Sequence, residues 1–298
     1  MKRPDLFIVG AFKAGTTSLY EYLRAHPGIF MSVPKEPTYF GADLSARYRR
    51  MTEDEYLALF RGARPDQRAG EATPWYLYST SAAAEIKAFE PQARIVIMLR
   101  NPVDVMFSQH SQLLFNQRED LVDFAAALDA ESDRIAGRRI PPGAIRPESL
   151  FYRQSVRFPE QVRRYLQVFG PAAVHFIVFE DLVADAAAVY RSTLEFLGVD
   201  PTHALDRTVY NANRGVRSGV VQRAIFAPPP ALRGLFGRLR RFPLLHHLRD
   251  AMVSANSRPA EREKMDPALR AALTAEFAPQ VAELGELIGR DLSAWSRA

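Results

Sequence analysis

Residues 6–19 read Leu6-Phe7-Ile8-Val9-Gly10-Ala11-Phe12-Lys13-Ala14-Gly15-Thr16-Thr17-Ser18-Leu19. The first four are an unbroken apolar run ending at Gly10, the pattern of a strand buried on both faces of a parallel sheet. A glycine-marked turn follows. A helical pattern then runs through Leu19, Tyr22 and Leu23 and stops before Pro27. The first turn of such a helix presents backbone N–H groups with no helical partners, at the positive end of the helix dipole. Strand, turn and helix together therefore make a cradle for an anion. The spacing fits a phosphate-binding G-x-x-x-x-G-K-[ST] loop at Gly10, Gly15 and Thr17. Thr16 stands where that loop carries its lysine, and a lysine appears three residues earlier, at Lys13. A lysine displaced this way suits a related cradle holding a different leaving group.

Two more apolar runs, 95–99 and 174–179, read as buried strands. Helices are expected over 53–60, where Thr52 and Glu55 make a capping box, and over 81–89. Others are expected over 102–116, 124–135 and 150–169, with Gly170 ending the last of these. Asp185 caps a further helix that ends at Gly198, and Asp266-Pro267 starts a final one that ends near Gly289. Strands alternating with helices predict an α/β fold: a P-loop-like three-layer α/β/α architecture with a central parallel sheet. No internal repeat or interdomain linker interrupts the chain, so a single domain over 1–298 is expected. Arg100 falls at the carboxyl edge of the 95–99 strand, where open α/β sheets bind ligands, and a guanidinium there suits a phosphate monoester. Ser108 lies about two turns into the next helix.

Composition narrows the function. With 298 residues, 47% hydrophobic and 24% charged, the chain can bury a large core, which excludes wholesale disorder. It has no cysteine, which excludes a disulfide framework, a thiolate metal site and a cysteine nucleophile. The formal charge of +5 suits an anionic ligand and does not by itself indicate nucleic acid. No run reaches 18 apolar residues, and the 6–9 run meets Gly10 and Lys13 too soon for a signal-peptide core. A soluble, cytoplasmic protein is the expectation. The histidines lack metal-ligand spacing, so no metal is expected.

The segment 12–19 resembles the 5′-phosphosulfate loop of sulfotransferases that use 3′-phosphoadenosine 5′-phosphosulfate (PAPS). It is most similar to the heparan sulfate N- and 3-O-sulfotransferase domains and their bacterial relatives. The run from Arg94 to Ser108 resembles the same family's 3′-phosphate motif, with an Arg at the strand end and a Ser eight positions on. The resemblance implies that Lys13, Ala14, Gly15, Thr16, Thr17 and Ser18 hold the phosphosulfate, and that Arg100 and Ser108 hold the 3′-phosphate. It makes Lys13 catalytic, through the charge that develops on the bridging oxygen. It also makes Glu36, shortly before Tyr39-Phe40, the base that takes the acceptor proton. Residues 70–76, Gly-Glu-Ala-Thr-Pro-Trp-Tyr, resemble a family segment near the acceptor. Ala72 stands where the 3-O-sulfotransferases carry a lysine, which weakens the case for a polyanionic glycan. Trp75 and Tyr76 could stack on an acceptor or serve as core aromatics. His110 follows Ser108 by two residues rather than the four of the N-sulfotransferases. Arg258, Arg262 and Lys264 are candidates to close the nucleotide site by charge alone.

The expected protein is thus a bacterial, cytoplasmic PAPS-dependent sulfotransferase that needs no metal and binds no nucleic acid. Its nucleotide core would cover about 1–200, and the remaining residues would close the nucleotide and acceptor sites. The acceptor would be a hydroxyl or amine of a glycan, glycolipid or small metabolite. Residues 232–248, apolar at helical spacing with four arginines between, form either a helix over the acceptor cleft or a surface for a membrane or lipid acceptor. Two rivals remain. One is a P-loop kinase with a degenerate cradle, reading Glu180-Asp181 as the end of a metal-binding strand with Asp181 on Mg²⁺. The other is a non-catalytic membrane or nucleic-acid-binding protein that acts through the basic segment 233–249.

Overall fold

The computed structural model describes residues 2–45, 50–206, 214–216, 257–259 and 264–297. Contacts divide the chain into two units: Met1–Met106, Arg153–Asn211 and Pro267–Ala298 form one, and Phe107–Tyr152 with Ala212–Asp266 form the other.

The first unit is built on five parallel strands: β1 (Leu6–Gly10), β2 (Ile29–Met31), β3 (Arg68–Ala72), β4 (Arg94–Leu99) and β5 (Val174–Val178). Their order is β2-β3-β1-β4-β5, with helices flanking the sheet, an α/β fold as the strand–helix alternation predicts. Every residue of β1 is buried, as a central strand of a covered parallel sheet requires. Strands β1 and β4 are neighbours, so the Lys13 loop and Arg100 leave the sheet at the same edge. The ladder between them slips after Ile8, and Ala11 N–H donates to the Met98 carbonyl at 2.5 Å.

Strands β2 and β3 are not expected from the sequence. β2 is three residues long, and β3 reads Arg-Ala-Gly-Glu-Ala, without an apolar run. Gly70 in β3 is required by packing. A Cβ there would lie 2.8 Å from both Cβ and Cγ of Leu6 on the neighbouring strand. The helix expected over 150–169 is in fact two helices, Tyr152–Ser155 and Phe158–Phe169, after a short 3₁₀ turn. Pro159 sits in the first turn of the second, where its missing N–H is harmless, and the chain breaks just ahead of it. The Thr52–Glu55 capping box forms as predicted, and Asp185 caps its helix by accepting from Ala187 and Ala188 N–H. Helix Pro267–Ile288 packs through Leu273, Phe277, Val281 and Leu284. Arg153–Glu276, Arg163–Glu283 and Arg290–Asp181 ion pairs fringe it, each on partly exposed side chains and worth at most about 1 kcal/mol. The apolar face therefore holds this helix in place.

In the second unit the expected 124–135 helix is broken at Ala130 into Phe124–Asp129 and Glu131–Ile135. Its centre is a buried ion pair. Both terminal nitrogens of Arg134 donate to Glu119 at 2.7 and 2.6 Å, and Tyr152 hydroxyl donates to the same carboxylate at 2.7 Å. His110 belongs to this core. It hydrogen-bonds the Leu121 carbonyl at 2.8 Å, packs on Phe124 and Tyr152, and burial lowers its pKa. Strands Arg214–Val216 and Ser257–Pro259 pair antiparallel. The helix expected over 232–248, together with Arg262, lies outside the described residues. Among the described residues no helix is long and apolar enough to cross a membrane.

Candidate active site

The loop after β1 turns through two left-handed residues, Lys13 at φ 58° and Gly15 at φ 89°. Gly15 has no alternative. The space its Cβ would enter is bounded by Leu182 Cδ2 at 3.0 Å and Phe179 Cδ2 at 3.3 Å. Lys13 is not a glycine, and holding an L-residue there costs about 1 kcal/mol or more. Such strain is kept where the turn itself is needed. Helix Thr16–Ala25 starts directly behind it, so the N-terminal amides of Thr16, Thr17 and Ser18 open at the loop.

Arg100 joins the two sequence motifs. Its Nη1 donates to the Lys13 carbonyl at 3.0 Å, and its guanidinium lies over the Phe179 ring, 4.5 Å from the centroid. Asp104, one turn into helix Pro102–Phe115, stands 4.0 Å from Arg100 Nη2. Arg270 reaches the same carboxylate at 2.5 Å. Ser108 is buried further along that helix, in the part belonging to the second unit. Nothing in the sequence marks Arg270; only the fold brings it here.

Glu36 is exposed, at φ 61°, and its Oε1 meets Lys35 Nζ at 2.8 Å. The segment behind it is fixed by backbone hydrogen bonds. Tyr39 and Phe40 N–H donate to the Tyr76 hydroxyl at 3.0 and 3.3 Å, and Gly41 and Ala42 N–H donate to the Glu85 carboxylate at 2.7 and 2.9 Å. Tyr76 in turn donates to Glu71 Oε1 at 3.0 Å. Tyr56 donates to the same oxygen at 2.7 Å, and Thr73 donates to Oε2 at 2.6 Å. Glu71, at the end of β3, is thus a fully buried carboxyl held by three hydroxyls. Burial pushes its pKa up to about 7 against those three donors, and the charge of nearby Glu36 adds to the rise. Glu71 lies within the 70–76 segment, where nothing in the sequence marks a task for it. It proves to be the anchor of the Glu36 loop. Tyr76 and Ala72 are core residues, fully buried. Trp75 is half-buried and packs edge-on against Phe12 of the loop, with centroids 4.1 Å apart.

The kinase reading needs Asp181 for a metal. Asp181 instead accepts from Arg290 at 2.7 Å.

Comparisons with known proteins give the chain its family. A sulfotransferase from Alicyclobacillus acidocaldarius of known crystal structure is 33% identical, covers 100% of both chains and superposes with a TM-score of 0.74. The mouse heparan sulfate glucosamine 3-O-sulfotransferases 3B1 and 6 are 26% and 27% identical over 216 and 219 residues, each alignment taking in 71% of this chain. Those alignments cover 50% and 57% of the mouse proteins, so the chain spans about half the length of the curated relatives it matches. The family model described as "Sulfotransferase domain" matches residues 3–217, a stretch that takes in the Lys13 loop, the Glu36 segment and the Arg100 strand end. With that match over well more than half its length, the chain belongs to the sulfotransferase family.

Proposed function

We propose that this protein transfers a sulfuryl group from PAPS to a hydroxyl or amine of an acceptor. The observation that carries this reading is the 3.0 Å bond from Arg100 to the Lys13 carbonyl, which brings two separate anion-binding motifs to one sheet edge. The donor set fits such a nucleotide. The N-terminal amides of helix Thr16–Ala25 and the Arg100 guanidinium meet at the loop that carries Lys13, and the loop itself contains no carboxylate. The nucleotide supplies an activated sulfuryl group on a phosphate leaving group.

Each residue then has a task. The amides of residues 14–18 hold the phosphate oxygens, and Arg100 takes the 3′-phosphate. Lys13 stabilises charge on the bridging oxygen as its bond to sulfur breaks. Glu36 accepts the proton released when the acceptor oxygen or nitrogen bonds to sulfur. Lys35 steadies the Glu36 carboxylate, and the Tyr76–Glu71 system steadies the loop behind it. The acceptor class follows the curated relatives, whose names point to carbohydrate. The buried Ala72 offers no cation for a polyanionic chain.

The test is acceptor-dependent formation of adenosine 3′,5′-bisphosphate from PAPS, measured across sugars, glycolipids and small alcohols and amines. Glu36→Gln keeps the shape of the side chain and removes its basicity. It is expected to lower transfer to an alcohol about 100-fold or more while leaving bisphosphate affinity within about twofold. Unchanged transfer by Glu36→Gln would remove it as the base.

A further inference from the structure

Arg100 is held by the Lys13 carbonyl and by the Phe179 ring, and Asp104 stands beside it without a hydrogen bond between them. Asp104 lies in the first turn of its helix, where a carboxylate stabilises the helix N-terminus. The same carboxylate, 4.0 Å from the guanidinium, would oppose any dianion that approaches Arg100 and would cancel much of its charge. Arg270, from the first turn of helix Pro267–Ile288, closes on the other oxygen of Asp104 at 2.5 Å. Its side chain is 35% exposed and that of Asp104 30%, so solvent screens this pair only in part. With Arg270 in place the group of three carries one net positive charge; without it the group is neutral.

We infer that Arg270 is a positioning residue for nucleotide binding: by neutralising Asp104 it leaves the charge of Arg100 to the 3′-phosphate. The inference rests on the donor reading above and assigns to the C-terminal helix a part in recognising the nucleotide. Arg270 acts through Asp104 and does not touch the phosphate. That distinction sets the test, because removing the negative charge of Asp104 makes Arg270 unnecessary.

Calorimetry compares adenosine 3′,5′-bisphosphate with adenosine 5′-monophosphate, which lacks the 3′ group. Arg270→Ala is expected to weaken bisphosphate binding about tenfold and monophosphate binding less than threefold. Arg270→Lys, which keeps the charge, stays within about threefold of wild type for both. Asp104→Asn binds the bisphosphate at least as tightly as wild type, and the double variant Asp104→Asn/Arg270→Ala stays within about threefold of Asp104→Asn. The inference is overturned by an undiminished Arg270→Ala, by equal losses for the two nucleotides, or by a loss that Asp104→Asn fails to restore. Should Arg270→Ala not fold, Arg270→Lys and Asp104→Asn decide: a tenfold loss of bisphosphate affinity in either overturns it. A wild-type protein that binds no bisphosphate overturns the donor reading and this inference with it, whereas tight wild-type binding with no effect at Arg270 overturns the inference alone.

Discussion

Lys13 and Glu71 show what single residues contribute. Lys13 is legible in the sequence because a lysine inside the loop, and not at its end, departs from the ordinary phosphate-binding pattern. In the proposed mechanism its charge acts as the leaving oxygen gains charge, so Lys13→Ala is expected to lower kcat about 100–1000-fold with a much smaller change in bisphosphate affinity. Steady-state kinetics beside calorimetry checks this, and unchanged turnover would exclude Lys13 from the mechanism. Glu71 is not legible as an anchor, because its three hydroxyl partners come from Tyr56, Thr73 and Tyr76 and meet only in the fold. Its pKa of about 7 in the folded protein, against 4.5 as the reference, has a consequence for stability. Between those values the folded state holds a proton that the unfolded state has released, so stability falls as pH rises through the window. The full span is up to about 3 kcal/mol, at 1.36 kcal/mol per pKa unit. Glu71→Gln keeps the acceptor oxygen for both tyrosines and has no proton to lose. Urea unfolding at pH 5 and pH 8 should show the Glu71→Gln variant gaining relative to wild type by about that amount at the higher pH; a pH-independent difference would place the Glu71 pKa near its ordinary value.

At the scale of elements, the sequence carries what depends on local pattern and misses what depends on neighbours. β1 and β4 announce themselves as apolar runs because both of their faces are covered, and the Thr52–Glu55 box and the Asp185 cap are local hydrogen-bond patterns. β3 has no such run. It becomes a strand because β1 and β2 pair with it on either side, and Gly70 lets Leu6 approach. Gly70→Ala is therefore expected to be more costly than an ordinary change of glycine to alanine in a strand. The added Cβ would meet Leu6 at 2.8 Å, and overpacking of this kind costs roughly 1–3 kcal/mol. A lowered thermal midpoint checks it, and a raised one would show that the strands part without cost. The break before Pro159 is visible in the sequence as a proline inside a helical pattern, although amphipathic spacing carries across it. Arg270 has no visible signal, since its partner is 166 residues away.

At the scale of the molecule, two motifs far apart in sequence reach one sheet edge because β1 and β4 lie side by side. The family model covers residues 3–217, and the motifs of the proposed donor site are readable from a few loops, whereas the acceptor is not. Acceptor recognition depends on how side chains from several segments combine, and the fold alone does not fix it. The central claim concerns the donor, and metal dependence separates it from the kinase alternative. A kinase bridges β- and γ-phosphates with Mg²⁺, whereas a transferring sulfuryl group carries less charge and can rely on Lys13 and the loop amides. Asp181, the carboxylate a kinase would use, is engaged by Arg290. The decisive measurement is calorimetry of adenosine 3′,5′-bisphosphate and of ATP, each in excess EDTA and in Mg²⁺. The account predicts tight bisphosphate binding that EDTA leaves unchanged, with ATP much weaker in both conditions. Tight Mg²⁺-dependent ATP binding together with no bisphosphate binding would contradict it.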